Sequence, residues 1–451
     1  MYFKLSIRNA KRSIVNYLLY CTTMTILLSI MEVSNCIAIV GKLVGFQTIS
    51  LPILITLLLV ILVGYIDSFM LKQRAKEFAN YLLLGMEKSK LSFMFLCEFL
   101  IIGIACFIAG VLLGFGIYTA LCIAVLHKEN EMNISLFGWS ILQTFFYFCL
   151  VECLGAFRKK NIIDKLQIRE LICEKDRNQK ISNSNTYKKW GIVFIIDLVC
   201  LIGLLCAIVF LPKYIAFPIL SIIAIPLLSS IFIFYKWLFG YLYAIRQEQP
   251  NSLYHKNRLY MIGQITSSLK TSAIINIILC ICLLFSAMSF FCGVIMLQPS
   301  INIFDTDSQQ WMGVLQISLC LIFIVIYFSV LSLQQIVELK RESKGIKVLS
   351  YIGKSNKQIK ELVKKQIAGK LLMPMFMTLL VLLFSIPLVN LKLNLLLPIV
   401  MHNILLRAAF CFSICFLFFY VCYFFLVYTI SKQYVGISNY TPLYNFFKKY
   451  I

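Results

Sequence analysis

The chain has 451 residues, of which 61% are apolar and 14% charged, and it carries a formal net charge of +23. A soluble chain is about half apolar and about a quarter charged, so this mixture cannot build a water-facing surface and reads as an all-α integral membrane protein. Nucleic acid is excluded as a partner for the basic charge, because the bases sit in short segments between apolar runs, without interleaved aromatic residues.

Runs of about 18 or more uncharged residues are long enough to cross a hydrocarbon core of about 30 Å as helices. Such runs predict ten transmembrane helices, near residues 16–34, 49–71, 91–118, 136–156, 190–210, 215–240, 271–295, 312–335, 369–390 and 402–430. Lys4, Arg8, Lys11 and Arg12 precede the first. No small-residue cleavage site follows it, so it is expected to stay as an uncleaved span.

Most Lys and Arg residues fall in 1–15, 72–90, 157–189, 241–270, 336–368 and 431–451. The alternate segments hold only Lys42, Lys128, Lys213 and Lys392, with Arg407 near an outer helix end. The positive-inside rule then makes both termini cytosolic. Trp139, Trp190, Trp237 and Trp311 all fall at predicted helix ends, where indole rings favour the headgroup level. The longest outer loop, near 297–311, is too short for a core of its own. The longest inner one, 157–189, is a polar linker.

The 17 cysteines lie mostly within apolar runs, and His127, His255 and His402 have no second ligand at metal spacing. Buried free cysteine behaves as a small hydrophobe, so neither a disulfide framework nor a metal site is expected.

Two inner segments resemble each other: KQRAKEFANYLLLGMEKSKL at 72–91 and KRESKGIKVLSYIGKSNKQI at 340–359. Superposing Gly85 on Gly353 pairs Lys76 with Lys344, Phe78 with Ile346, Tyr81 with Leu349, Leu84 with Ile352 and Leu91 with Ile359. Apolar positions three and four apart predict a short helix with one apolar and one basic side. The glycine ends it in left-handed geometry, and Ser355 with Gln358 forms a capping box that starts the next helix, which continues into a span. Such an elbow either lies on the bilayer surface or fills a groove of a cytosolic partner. Its duplication favours a partner with two equivalent grooves.

At these residues the chain resembles the FtsX-like permease family of ABC transporters. Arg74, Lys76, Glu77, Phe78, Tyr81, Leu84 and Gly85 match its repeat, and the second copy keeps Lys344, Ile346, Leu349, Ile352 and Gly353. Gly345 stands where the first copy has Glu77, and Gln366 where it has Glu98, so the second copy is the more diverged. Repeats at spans 2–4 and 8–10 around an extra helix pair are similar to the bacitracin-resistance type of permease, here without the large external domain between spans 7 and 8. The resemblance divides the chain into a basic helix and first span (1–48), a first repeat (49–156), a linker with spans 5–7 (157–311), and a second repeat with its tail (312–451).

The resemblance implies that each elbow couples to one subunit of a cytosolic ABC ATPase dimer, which binds ATP and Mg, while this chain binds no cofactor and is not itself an enzyme. Gly353-Lys354-Ser355 is not read as a phosphate loop, since Val348 occupies the position of its first glycine. The implied function is export or removal of an amphipathic antimicrobial peptide or lipid-like compound, with membrane lipid as the surroundings. In the rival reading the chain is a sensory subunit acting with a membrane histidine kinase. An intramembrane enzyme would need a cluster of His, Asp or Ser at one face, which the sequence does not supply.

Charges within spans are costly and mark candidate sites. Asp197, about two turns into span 5 from its inner end, and Lys236, about one turn into span 6 from the same side, are expected to form an ion pair. Glu32 and Arg407, near outer ends, either line a substrate path or snorkel to the interface, and snorkelling is favoured. Asp67, Glu98 and Glu152 are expected to find bases or headgroups near the inner ends. Pro226 and Pro374 are expected to kink their helices.

Overall fold

The structure is a computed structural model. It describes residues 14–43, 75–121, 134–165, 186–210, 213–248, 258–298, 306–396 and 402–435, with separate helical positions between 53 and 71. The helices are α1 (Ile14–Leu43), α2 (Ala75–Leu83), α3 (Lys88–Leu121), α4 (Ile134–Lys165), α5 (Thr186–Phe210), α6 (Lys213–Glu248), α7 (Arg258–Met296), α8 (Thr306–Tyr351), α9 (Asn356–Leu396) and α10 (Ile404–Val435). Among the described residues there is no strand.

Among the described residues eight helices, α3 to α10, are long and apolar enough to cross a membrane. They coincide with predicted spans 3 to 10. In α1, a helix of 30 residues, the described side chains include the apolar stretch Met24–Cys36. Predicted span 2 and both termini lie largely or wholly outside the described residues.

The elements form two compact units, Met1–Ile181 with Phe447–Ile451, and Ser182–Phe446. In the first, α1 packs on α3 and α4. The close approach of α1 to α3 follows from Gly110 and Gly114, one turn apart on α3. A Cβ at Gly110 would lie 2.8 Å from Leu28 Cβ, and one at Gly114 would lie 2.6 Å from the Ser29 carbonyl oxygen. A G-x-x-x-G spacing inside an apolar run is the sequence sign of such a contact. Its partner α1 belongs to the span that precedes the repeat.

In the second unit α7 and α8 pack along one another, α6, α9 and α10 contact α7, and α5 contacts α6 and α9. Pro374 breaks the backbone bonding of α9 from within. Its neighbourhood is stitched from outside: Tyr235 donates to the Met373 carbonyl at 3.1 Å and Cys280 to the Pro374 carbonyl at 2.9 Å. The turn from α9 to α10 holds Asn403 at φ 64°. Asparagine tolerates that conformation, and here Asn390 and Asn394 both donate to its side-chain oxygen, at 2.9 and 3.1 Å.

Two boundaries differ from expectation. The basic segment after span 8 continues that span as α8, without a separate short helix, because charge alone does not stop a helix and Gly345 stays helical. The expected linker is helical over its first part, since α4 runs to Lys165.

Candidate functional site: the two elbows

The first elbow joins α2 to α3. Gly85 takes φ 89°, its N–H donates to the Leu82 carbonyl at 3.1 Å, and the Met86 N–H reaches the Tyr81 carbonyl at 3.0 Å. These two bonds define a Schellman stop, which needs a residue free to adopt positive φ. The second elbow repeats it between α8 and α9: Gly353 takes φ 94° and the Lys354 N–H reaches the Leu349 carbonyl at 3.3 Å. Leu91 N–H to the Glu87 carbonyl corresponds to Ile359 N–H to the Ser355 carbonyl, both at 3.1 Å. The aligned sequences therefore share the bond that closes the stop and the first bond of the helix that follows.

The capping box forms at the second elbow only. Ser355 N–H donates to Gln358 Oε1 at 3.3 Å, and Gln358 N–H to Ser355 Oγ at 3.4 Å. At the first elbow the corresponding region carries an exposed pair, Lys90 with Glu87 at 3.3 Å.

Neither elbow glycine has an atom within 4 Å of an added Cβ, so a substitution there meets only backbone strain. Gly353→Ala should therefore cost about 1–2 kcal/mol. Gly345→Ala, in equally open space but in helical geometry, should stabilise α8 by roughly 0.5–1 kcal/mol. Opposite shifts in thermal unfolding of the two variants in detergent check this contrast.

Burial divides each elbow in the same way. Phe78, Leu91, Met94, Phe95 and Phe99 are buried in the first, and Ile346, Ile359, Leu362, Val363 and Ile367 occupy the same register, also buried, in the second. The tips point outward. Leu83 and Leu84 are 63% and 84% exposed, Tyr351 and Ile352 84% and 73%. Tyr81 and Leu349 are half-buried and Glu77 is exposed. Arg74 and the side chains of Lys76 and Lys344 lie outside the described residues. Each tip is an apolar pair beside exposed lysines, Lys88 and Lys90 or Lys357 and Lys360. The strand that a phosphate loop would follow is replaced here by α8, so Gly353-Lys354-Ser355 has no such setting.

Behind each elbow lies a buried lysine. In the first unit Lys159, 1% exposed, pairs with Asp67 at 3.2 Å and Glu152 at 3.9 Å, and lies 4.2 Å above the Phe99 ring. Phe99 packs on Phe95, and Phe95 meets Phe78 edge-on at 5.2 Å, so a line of rings joins the elbow to the charges. In the second unit Lys370 pairs with Glu338 at 2.9 Å, and Gln334 bridges Glu338 to Asn276. Asp67 and Glu152 thus meet the base expected for them.

Residues 49–157 match the FtsX-like permease C-terminal family. The match covers the first repeat, including the whole first elbow, and the second repeat reproduces the geometry of that FtsX-like elbow. No curated protein matches the chain closely enough to be named a relative. With its apolar helices, the FtsX-like segment makes this a multi-pass integral membrane protein of the bacterial plasma membrane.

The intramembrane charges correct two expectations. Asp197 and Lys236 do not pair. Asp197 accepts from Ser229 at 2.8 Å, whereas Lys236 Nζ lies 4.3 Å from the Trp190 ring centre and 4.6 Å from that of Phe232. The register of the antiparallel helices α5 and α6 sets Asp197 level with Ser229 and Lys236 level with Trp190, so the two charges stand about two turns apart along the pair. Glu32 does not snorkel. Because α1 extends to Leu43, Glu32 lies well inside the helix and is fully buried against α3 and α4. Arg407 is exposed in the first turn of α10.

Proposed function

We propose that this chain is the membrane permease subunit of an ABC transporter, driven by a separate ATPase dimer. The duplicated elbow carries the reading. Each presents an apolar tip on a rigid Schellman stop, with its base packed against a helix that continues into a span. A push on the tip is thereby delivered to the spans, because the buried register behind it leaves no slack. Two elbows on one chain suit a partner with two equivalent grooves, giving one permease and two ATPases.

The cargo is an amphipathic, membrane-partitioned compound, either an antimicrobial peptide or a lipid-like molecule, engaged in the outer leaflet. The short connection between α7 and α8 favours this, since helix resumes at Thr306 after Met296 and leaves no room for an external capture domain. Reconstitution with the ATP-binding subunit in liposomes, without any histidine kinase, tests the proposal. ATP-dependent release of a membrane-bound cationic peptide is the expected result. Hydrolysis without release, together with kinase activation when a kinase is added, would instead establish the sensory reading.

A further inference from the structure

Glu32 lies about three turns before the end of α1 and is 0% exposed. Ser140 Oγ donates to its Oε1 and Thr144 Oγ1 to its Oε2, both from α4. Cys36 Sγ donates to Oε1 at 3.7 Å, and Asn35 Nδ2 donates to Thr144 Oγ1 at 2.7 Å. On the third side α3 closes the site with Gly114, where a Cβ would lie 2.7 Å from Glu32 Cβ.

Among the described residues no Lys, Arg or His pairs with Glu32. The titratable groups on the elements packed around it are few. Cys36 is on α1 itself; Cys106 and Tyr118, both buried, flank Gly114 along α3. On α4 the first charged residue beyond Thr144 is Glu152, followed by Arg158 and Lys159. From the partly described second span, Thr56 reaches Met31, and Asp67 is paired with Lys159. Among the described residues an ionised Glu32 thus has no counter-charge, and in an apolar setting a lone carboxylate is costly.

The two hydroxyls have a second acceptor each. Ser140 Oγ lies 3.0 Å from the Phe137 carbonyl oxygen, and Thr144 Oγ1 lies 2.9 Å from the Ser140 carbonyl oxygen. With Glu32 ionised, both hydroxyls donate to the carboxylate. With Glu32 protonated, its own O–H donates to one hydroxyl oxygen, and that hydroxyl turns its proton to the helix carbonyl. Either state leaves the carboxyl group and both hydroxyls bonded. A metal ion would need several oxygens arranged around it at about 2–2.6 Å. Among the described residues no group of three or more His, Cys, Asp or Glu side chains surrounds Glu32, so the ion this cluster suits is a proton.

We propose that Glu32 is a proton-binding site that exchanges between carboxylate and carboxylic acid by rotation of the Ser140 and Thr144 hydroxyls, making the contact of α1 with α4 responsive to protons. The inference is independent of ATPase coupling. Infrared difference spectroscopy of the full chain in phospholipid nanodiscs, titrated with pH, tests it. A carboxylic-acid carbonyl band that disappears as pH rises, and is absent from folded, monodisperse Glu32→Gln, is the expected result. A band that is missing, that does not titrate, or that persists in Glu32→Gln overturns the proposal. The double variant Ser140→Ala with Thr144→Ala keeps Glu32 but removes both donors to the carboxylate, so the band should persist to higher pH. An unchanged midpoint there overturns the role given to the hydroxyls.

Discussion

Leu84→Asp and Ile352→Asp introduced together should release the ATP-binding subunit in a co-purification while leaving the permease inserted and folded. The two side chains are 84% and 73% exposed, so neither contributes to packing within the chain. Burying a leucine or isoleucine in a partner's apolar groove contributes about 1.5–3 kcal/mol. Each lost anchor therefore weakens association by roughly ten- to a hundredfold, and an unpaired aspartate in the groove adds a desolvation cost. Either single variant should retain the partner weakly through the remaining elbow. Circular dichroism and size-exclusion profiles of the permease alone should match the unsubstituted chain. Undiminished recovery of the ATPase with the double variant would remove the coupling role from both tips.

The contrast between tip and base explains which parts of the site could be read in advance. Gly85 and Gly353, the capping box of Ser355 and Gln358, and the apolar register from Phe78 to Leu91 are local signals, set by residues within a few turns of one another. Their geometry follows from backbone stereochemistry and needs no knowledge of distant helices. The same periodicity assigns a face to each residue but not the partner opposite it. Depth from the helix end pairs Asp197 with Lys236, whereas the register of α5 against α6 sets Asp197 beside Ser229 and Lys236 beside the Trp190 ring. Glu32 was misplaced for a different reason. The apolar run ends at residue 34, whereas the helix continues to Leu43, because buried polar residues are compatible with helix where α4 supplies partners, as Thr144 does for Asn35 and Ser140 for Cys36.

The buried lysines at the bases of the elbows had no local signal, because their partners come from other helices, and they should dominate the stability of the two units. Lys370→Met takes the paired base from Glu338 while leaving it buried beside Gln334, and the expected loss is about 3–5 kcal/mol, the cost of breaking a buried pair from one side. Lys159→Met removes the base shared by two carboxylates, Asp67 and Glu152, and should cost at least as much. The control is Lys365, whose bond to Glu361 is as short, at 2.6 Å, but lies on the surface. Lys365→Met should change stability by less than about 1 kcal/mol, because water screens the pair and replaces it readily. Combining Glu338→Met with Lys370→Met removes the stranded charge and should recover most of the single-variant loss, since an apolar pair of similar volume tolerates the site. Thermal unfolding in detergent measures all four. If the double variant were as unstable as Lys370→Met alone, the lysine would be acting through packing of its methylene stem against α8, and the ion pair would contribute little to holding the elbow.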